Sequence, residues 1–147
     1  MTENARKIAN DLCRKWEGCR LEAYPDPGTG GDPWTIGYGA TGAGIGPGVV
    51  WTQQEADKRL EQDVSRFVDG VRDLLMQPAT DNQLGAMASL AYNIGLGAFS
   101  GSTLLRMFNA GRIADAQKQF GVWVNAGGRR MQGLVNRRAD EARVFGS

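Results

Sequence analysis

Histidine is absent from this 147-residue chain, and cysteine occurs only twice. Without histidine, the carboxylates of Asp and Glu are the natural acid and base groups left for catalysis. Cys13 and Cys19 are too few for a disulfide scaffold, and they lack the spacing of a zinc site. We expect two reduced, buried or half-buried thiols, as in a cytoplasmic protein. The carboxylates are therefore the first candidates for catalytic groups.

Long hydrophobic runs are also missing. No stretch reaches 18 apolar residues, and Met1–Arg6 carries no hydrophobic core of a signal peptide. We therefore expect no stable membrane insertion and a protein that cannot export itself. An apolar content of 41% and a charged content of 22% are typical of globular proteins. The length fits one domain, residues 1–147.

The basic residues are unevenly distributed, although the net charge is only +1. Residues 1–80 hold 9 Lys and Arg against 12 Asp and Glu, whereas residues 81–147 hold 8 against 4. The basic excess includes Arg129, Arg130, Arg137, Arg138 and Arg143. It indicates either a solvated helix face or attraction to a polyanionic surface such as an anionic cell wall. Interleaved aromatic residues and nucleic-acid-binding motifs are missing, so we expect no nucleic-acid partner.

Clusters of glycine interrupt a sequence pattern that is otherwise typical of helices. Many of the 21 glycines cluster in residues 28–48 and 95–101, which indicates two turn-rich regions. Apolar residues repeat with helical period through the first 16 residues, and Gly18 predicts the end of that helix. Alternating residues in Trp34–Tyr38 predict a strand.

Two capping boxes predict the starts of further helices. Thr52–Glu55 opens a long helix that stops before Pro78, and Thr80–Gln83 opens the most apolar helix of the chain. Three more helices are predicted, around Leu104–Phe108, over Ile113–Phe120 and over about Met131–Phe145. The fold class is therefore α+β, mostly helical with a small N-terminal β-sheet lobe. We expect an extended polymer to bind in a cleft between the lobes.

Two carboxylates and one hydroxyl follow each other where the first helix leads into the strand. Glu17 stands at the C-terminal end of the helix, where the helix dipole disfavours a negative charge. Asp26 lies in the connecting loop, and Thr35 lies on the strand. Each is ordinary by itself, since Pro-Asp-Pro-Gly is a common turn and glutamates at helix ends are usually solvated. Together they offer an acid for a leaving oxygen and polar groups for a water, as hydrolysis of a glycosidic bond requires.

The order and spacing of these residues resemble the phage-type lysozymes of glycoside hydrolase family 24, which serve tailed phages as endolysins. The family pattern is a Glu, eight residues, an Asp or Cys, a short spacer and a Thr-x-Gly-x-Gly strand. Here Glu17, Asp26 and Thr35–Gly39 match it. Further matching segments are Ala91–Gly95, Ser102–Leu105 and Gly133–Glu141. The resemblance therefore covers essentially the whole chain.

The resemblance implies a muramidase that hydrolyses the β-1,4 bond between N-acetylmuramic acid and N-acetylglucosamine in peptidoglycan. It implies no metal and no cofactor. Glu17 would be the general acid, and Asp26 and Thr35 would place and polarise the attacking water. The anomeric centre would then be inverted.

The resemblance also implies supporting residues. Arg137 would pair with Glu17, although an arginine on a solvated helix face is the ordinary alternative. Asn93, Gly37 and Tyr38 are expected to bind substrate or support the site. For Asn93 the alternative is a helix-end residue, and for Tyr38 the alternative to stacking on sugars is core packing.

As in holin-dependent phages, the protein would wait in the host cytoplasm until a holin-type partner permeabilises the inner membrane. It would then reach the periplasm and the cell wall. Its partner there would be the glycan strands of peptidoglycan, and we expect a monomer.

The chain departs from the family pattern in two places. The spacer from Asp26 to Thr35 is three residues longer than in the shortest members and contains Asp32, which competes for the role of second carboxylate. Asp26 keeps the spacing from Glu17 and is preferred. Ala40 stands where some members carry a histidine. Two other functions stay open, a lytic transglycosylase and a peptidoglycan-binding module without activity.

Overall fold

A computed structural model describes residues 2–147, with side chains from residue 3 onwards. The helices are α1 (Thr2–Trp16), α2 (Gln53–Leu74), α3 (Asp81–Ile94), α4 (Leu96–Ser100), α5 (Thr103–Asn109), α6 (Ile113–Gln119) and α7 (Gln132–Phe145), with a 3₁₀ turn at Phe120–Val122. The strands are β1 (Arg20–Tyr24), β2 (Thr35–Gly37), β3 (Asn125–Ala126) and β4 (Arg129–Arg130). The predicted α+β class, mostly helical with a small N-terminal sheet, is confirmed.

The chain divides into two compact units. The sheet unit is Cys13–Asp63, and the helical unit contains the residues up to Leu12 together with Val64–Ser147. Helices α1 and α2 each have one end in the sheet unit and the other end in the helical unit.

In the sheet unit, β1 and β2 form an antiparallel pair. Arg20 stands opposite Gly37 and Tyr24 stands opposite Thr35, with an irregularity in register between the two pairs. The other edge of β1 is bonded to the segment 49–51 through backbone hydrogen bonds of 2.8 and 2.9 Å. β1 is therefore the central element of this small lobe.

The strand predicted over Trp34–Tyr38 is shorter than expected, because the chain turns at its glycines. Gly37 has φ = 66° and Gly39 has φ = 89°, both in the left-handed region that favours glycine. Ile36 and Ala40 exchange two backbone hydrogen bonds, of 3.0 and 2.8 Å, across the turn. We call residues 37–39 the glycine turn.

The predicted caps of α2 and α3 are confirmed. The Thr52 hydroxyl accepts a hydrogen bond from the Glu55 N–H at 3.1 Å, and the Glu55 carboxylate accepts one from the Thr52 N–H at 3.0 Å. Thr80 and Gln83 form the same reciprocal box at α3. Every residue from Leu84 to Ala91 is buried, and α3 packs against α7, so α3 is the central helix of its unit.

The hairpin of β3 and β4 was not predicted. Its strands are two residues long, and they are joined by Gly127 and Gly128 with φ of 58° and 76°. A Gly-Gly pair suits such a tight hairpin turn. The flanking strands are too short to show any alternation of apolar and polar residues.

Two expectations about side chains are wrong. Arg137 and Arg138 are only 3% and 1% exposed, so they do not belong to a solvated helix face. Cys19 is exposed, whereas Cys13 is buried as expected. Within residues 2–147, no helix has both the length and the apolar character to cross a bilayer.

Candidate active site

Glu17 directly follows helix α1, and its carboxyl borders the glycine turn. Its N–H donates to the Cys13 carbonyl at 2.7 Å, which extends the helical bonding by one residue. A Cβ placed on Gly39 would stand 3.4 Å from Glu17 Oε1. Glu17 is half-buried. The Glu17 carboxyl therefore lies close to the backbone of the glycine turn.

Asp26 and Thr35 lie at the other end of β1 from Glu17. Thr35 is paired with Tyr24, and Asp26 follows Tyr24 by two residues. At a rise of about 3.3 Å per residue, the five residues of β1 span about 13 Å from first to last. The strand therefore separates the two carboxylate-bearing residues along the chain.

The Asp26 carboxylate caps its own loop. Its Oδ2 accepts hydrogen bonds from the N–H groups of Gly28 at 3.0 Å and Thr29 at 3.1 Å. Its Oδ1 has no hydrogen-bond partner within residues 2–147. One oxygen thus fixes the orientation of the carboxylate, and the other can accept a hydrogen bond from water.

The alternative carboxylate, Asp32, is exposed, and only its backbone carbonyl is engaged, by the Thr29 hydroxyl at 2.7 Å. Thr35 is half-buried, and its hydroxyl donates to the Pro33 carbonyl at a long 3.4 Å. At that distance the bond is weak, so the hydroxyl can also serve a water molecule. Asp26 is therefore the better-oriented of the two loop carboxylates.

Tyr38 is 7% exposed, and its hydroxyl joins a hydrogen-bonded group at the start of α2. The hydroxyl donates to Asp57 Oδ1 at 2.9 Å and accepts from Gln53 Nε2 at 3.0 Å. Burial and the bond to Asp57 raise the pKa of Tyr38, so its hydroxyl remains a donor. The bonds donated by Gln53 and Tyr38 lower the pKa of Asp57, so its carboxylate remains an acceptor. We call these three side chains the Tyr38 network.

Gly37 is required where the ring of Trp51 packs onto the backbone. A Cβ at Gly37 would stand 3.1 Å from that ring, in addition to the strain of its positive φ. The contacts of Gly37 and Tyr38 favour a supporting role for both residues over direct binding of sugar.

In the helical unit, Arg137 is buried among polar groups. Its Nε lies 3.2 Å from Glu141 Oε2, and its Nη2 donates to the Ser89 carbonyl at 3.1 Å. The Ser89 hydroxyl donates to Glu141 Oε2 at 2.5 Å. Burial raises the pKa of Glu141, and the guanidinium groups of Arg138 and Arg137 oppose that shift. The pairing of Arg137 with Glu17 stays a prediction.

Asn93 is hydrogen-bonded to the same group of buried charged residues, through Arg138. Its Oδ1 accepts a hydrogen bond from Arg138 Nη2, and Arg138 Nη1 lies 3.1 Å from Glu141 Oε1. The role of Asn93 in substrate binding stays a prediction.

Sequence reasoning missed Asp57 and Gln53 altogether. Their spacing of four residues, which puts them on one face of a helix, was visible, but their partner Tyr38 is 15 to 19 residues away in the chain. Residues 2–147 contain no group of three or more Cys, Asp and Glu side chains that could hold a metal ion.

Comparison with known proteins shows that the chain matches one protein family. The family model described as phage lysozyme matches residues 14–141. The endolysin of Bacillus phage PZA is 45% identical over 137 residues, which are 93% of this chain and 53% of that endolysin.

Solved structures agree with that match. The muramidase domain of SpmX from Asticaccaulis excentricus has a TM-score of 0.86 and 33% identity, with 96% of each chain covered. An endolysin from the Escherichia coli phage FAHEc1 has a TM-score of 0.81 and 33% identity, over 95% of this chain and 90% of that one. The chain spans about half the length of the Bacillus phage endolysins that it matches.

Proposed function

Because this chain belongs to the phage lysozyme family, we propose that it is a muramidase. It hydrolyses the β-1,4 bond between N-acetylmuramic acid and N-acetylglucosamine in bacterial peptidoglycan. The observation that carries the proposal is the arrangement of the sheet unit. Glu17 stands at the end of α1 against the glycine turn, and Asp26 and Thr35 stand at the far end of β1.

The reaction that fits this arrangement uses a water molecule as nucleophile. Glu17 donates its proton to the leaving glycosidic oxygen, and Asp26 and Thr35 orient the water. Direct attack by a carboxylate needs two carboxyls about 5 Å apart, whereas a water between them needs about 6.5–9.5 Å. Because Asp26 Oδ1 and the Thr35 hydroxyl can both serve a water molecule, we propose the wider separation, and with it inversion at the anomeric carbon.

We also propose how the protein reaches its substrate. In keeping with the endolysin relatives, it acts as a monomer on glycan strands of the cell wall, after a holin-type partner has permeabilised the inner membrane. Sedimentation of the purified protein tests the monomer. Lysis of cells that express the protein with and without a membrane-permeabilising partner tests the route.

The central experiment is digestion of purified peptidoglycan by wild-type protein and by Glu17→Gln. Loss of the acid should lower the rate by about 10²- to 10⁴-fold. Glu22→Gln is the matched control, because Glu22 is an exposed glutamate on β1 of the same unit. It should keep the wild-type rate, and all three proteins should melt within a few degrees of each other.

Mass spectrometry of the products separates the proposal from its alternatives. Reducing muramic acid ends are expected. Anhydro-muramic ends would instead identify a lytic transglycosylase. Binding to sedimented peptidoglycan without any cleavage would identify a wall-binding module.

A further inference from the structure

The glycine turn is the part of the sheet unit that borders the carboxyl of Glu17. A Cβ built on its apex residue, Gly39, would stand 3.4 Å from Glu17 Oε1, so the apex lies near that oxygen. The turn has no side chain of its own at Gly37 or Gly39. A displacement of this backbone would change the space available to the carboxyl. Tyr38 is the one residue of the turn with a side chain, so it can anchor the turn to a neighbouring element.

The Tyr38 side chain is held by two residues from the first turns of α2. Asp57 Oδ1 accepts both the Tyr38 hydroxyl, at 2.9 Å, and the Gln53 amide, at 2.9 Å. The Gln53 amide also donates to the Tyr38 oxygen at 3.0 Å, which closes a triangle of hydrogen bonds. Each member has two partners in the triangle, and such a fully connected arrangement restricts all three side chains.

Arg14 connects the same network to the last turn of α1. Its Nη2 lies 3.8 Å from Asp57 Oδ1, and its guanidinium carbon lies 5.9 Å from the centre of the Tyr38 ring. Arg14 precedes Glu17 by three residues, which places it about one helical turn away. Helix α1, which ends one residue before Glu17, and the glycine turn thus both interact with the same carboxylate, Asp57.

We propose that Asp57 is a positioning residue, which acts through Tyr38 to hold the glycine turn against the general acid Glu17. The proposal rests on the function proposed above. Asp57 contacts neither Glu17 nor the reacting bond in this scheme. Its contribution is to the geometry of proton delivery, and misplacing a catalytic group by about 1 Å can cost about 10²-fold in rate.

The test is the kinetics of Asp57→Ala on soluble peptidoglycan fragments. We expect kcat to fall by about tenfold with KM unchanged, because a misplaced acid weakens only the transition state. Asp57→Asn keeps an oxygen acceptor for the Tyr38 hydroxyl and should recover most of the rate. Glu61→Gln removes a charge one helical turn away on the exposed surface of α2 and serves as the matched control.

A double-mutant cycle with Tyr38→Phe shows whether Asp57 acts through Tyr38. If it does, Asp57→Ala should lower kcat less than about twofold further once the Tyr38 hydroxyl is gone. Fully multiplicative losses overturn the proposal, as does a lower melting temperature with kcat unchanged. Wild-type activity is measured first, because a wild type without cleavage overturns the proposed function itself. Active wild type with an equally active Asp57→Ala overturns only the positioning role.

Discussion

Replacing Gly85 with alanine tests a close helix–helix approach in the helical unit. Gly85 lies in α3, and a Cβ there would stand 2.5 Å from Ile8 Cγ2 and 3.1 Å from the Ala5 carbonyl oxygen, both in α1. Non-bonded carbons prefer about 3.5–4.0 Å, so the new methyl group overlaps by about 1 Å. Ile8 is β-branched and keeps one rotamer in a helix, so it cannot swing away. The two helices must therefore move apart.

The expected change in stability has two parts. Overpacking costs about 1–3 kcal/mol, and contact with both a branched side chain and backbone places Gly85→Ala near 3 kcal/mol. The higher helix propensity of alanine returns about 1 kcal/mol. The net loss is about 2 kcal/mol. For a chain of this size the melting temperature should fall by about 4–8 °C.

Circular dichroism melts and urea titrations of Gly85→Ala measure the loss. Gly133→Ala is the matched control, because Gly133 is also in a helix, α7, but a Cβ there meets nothing within 4 Å. It should be neutral or more stable by up to about 1 kcal/mol. If Gly85→Ala melts at or above the wild-type temperature, the close approach of α1 and α3 is not as described.

Two further predictions concern the loop carboxylates and the basic surface. Asp26→Asn should lower peptidoglycan cleavage by about 10²-fold, whereas Asp32→Asn should leave it within about twofold, and the reverse order would move the site to Asp32. Raising salt from 0.1 to 1 M shortens electrostatic attraction from about 10 to about 3 Å and should raise the apparent KM. Neutralising the exposed Arg129 and Arg130 should flatten that response, whereas Arg143→Ala should change it less, because Arg143 already pairs with Asp140 at 2.7 Å. An unchanged salt response in the double variant would show that Arg129 and Arg130 do not attract the wall and are only solvated surface residues.

The sequence predicted the features that depend on neighbouring residues. The caps of α2 and α3 are each made by residues three apart, so their chemistry can be recognised within one short window. The end of α1 before Gly18 is equally local. The length of β2 was overestimated, because alternation in Trp34–Tyr38 suggested a strand while the two glycines favoured a turn. The positive φ angles of Gly37 and Gly39 therefore decided the structure here, and the alternation of side chains did not.

Burial of charge could not be predicted, because it depends on partners far away in the chain. The sequence places Arg137 and Arg138 in the basic excess of residues 81–147, with pairing to Glu17 as a further expectation for Arg137. In the structure Arg137 binds Ser89 and Arg138 binds Asn93, across 48 and 45 residues. No local pattern distinguishes such arginines from exposed ones. The basic surface that could attract an anionic wall is therefore smaller than the sequence indicated.

The order of Glu17, Asp26 and Thr35 indicated a candidate site, but the state of each group required the fold. The sequence showed Asp26 both as a turn residue and as a catalytic candidate. Its two oxygens allow both roles, since only Oδ2 is used by the loop. The identification of these three residues as catalytic stays a proposal.

Ala40 directly follows the glycine turn. Ala40 is 5% exposed and offers only a methyl group, so no polar bond can reach the turn from that side chain. This region is bonded to α2 by the Tyr38 hydroxyl, which donates to Asp57, and by Arg59, which donates to the Thr41 carbonyl at 2.9 Å. A tyrosine that is buried and bonded to an ionised carboxylate fixes the turn without adding a group that titrates near neutral pH. In the positioning role proposed for Asp57, the Tyr38 network would thus hold the turn beside Glu17 with groups whose charge stays constant near neutral pH.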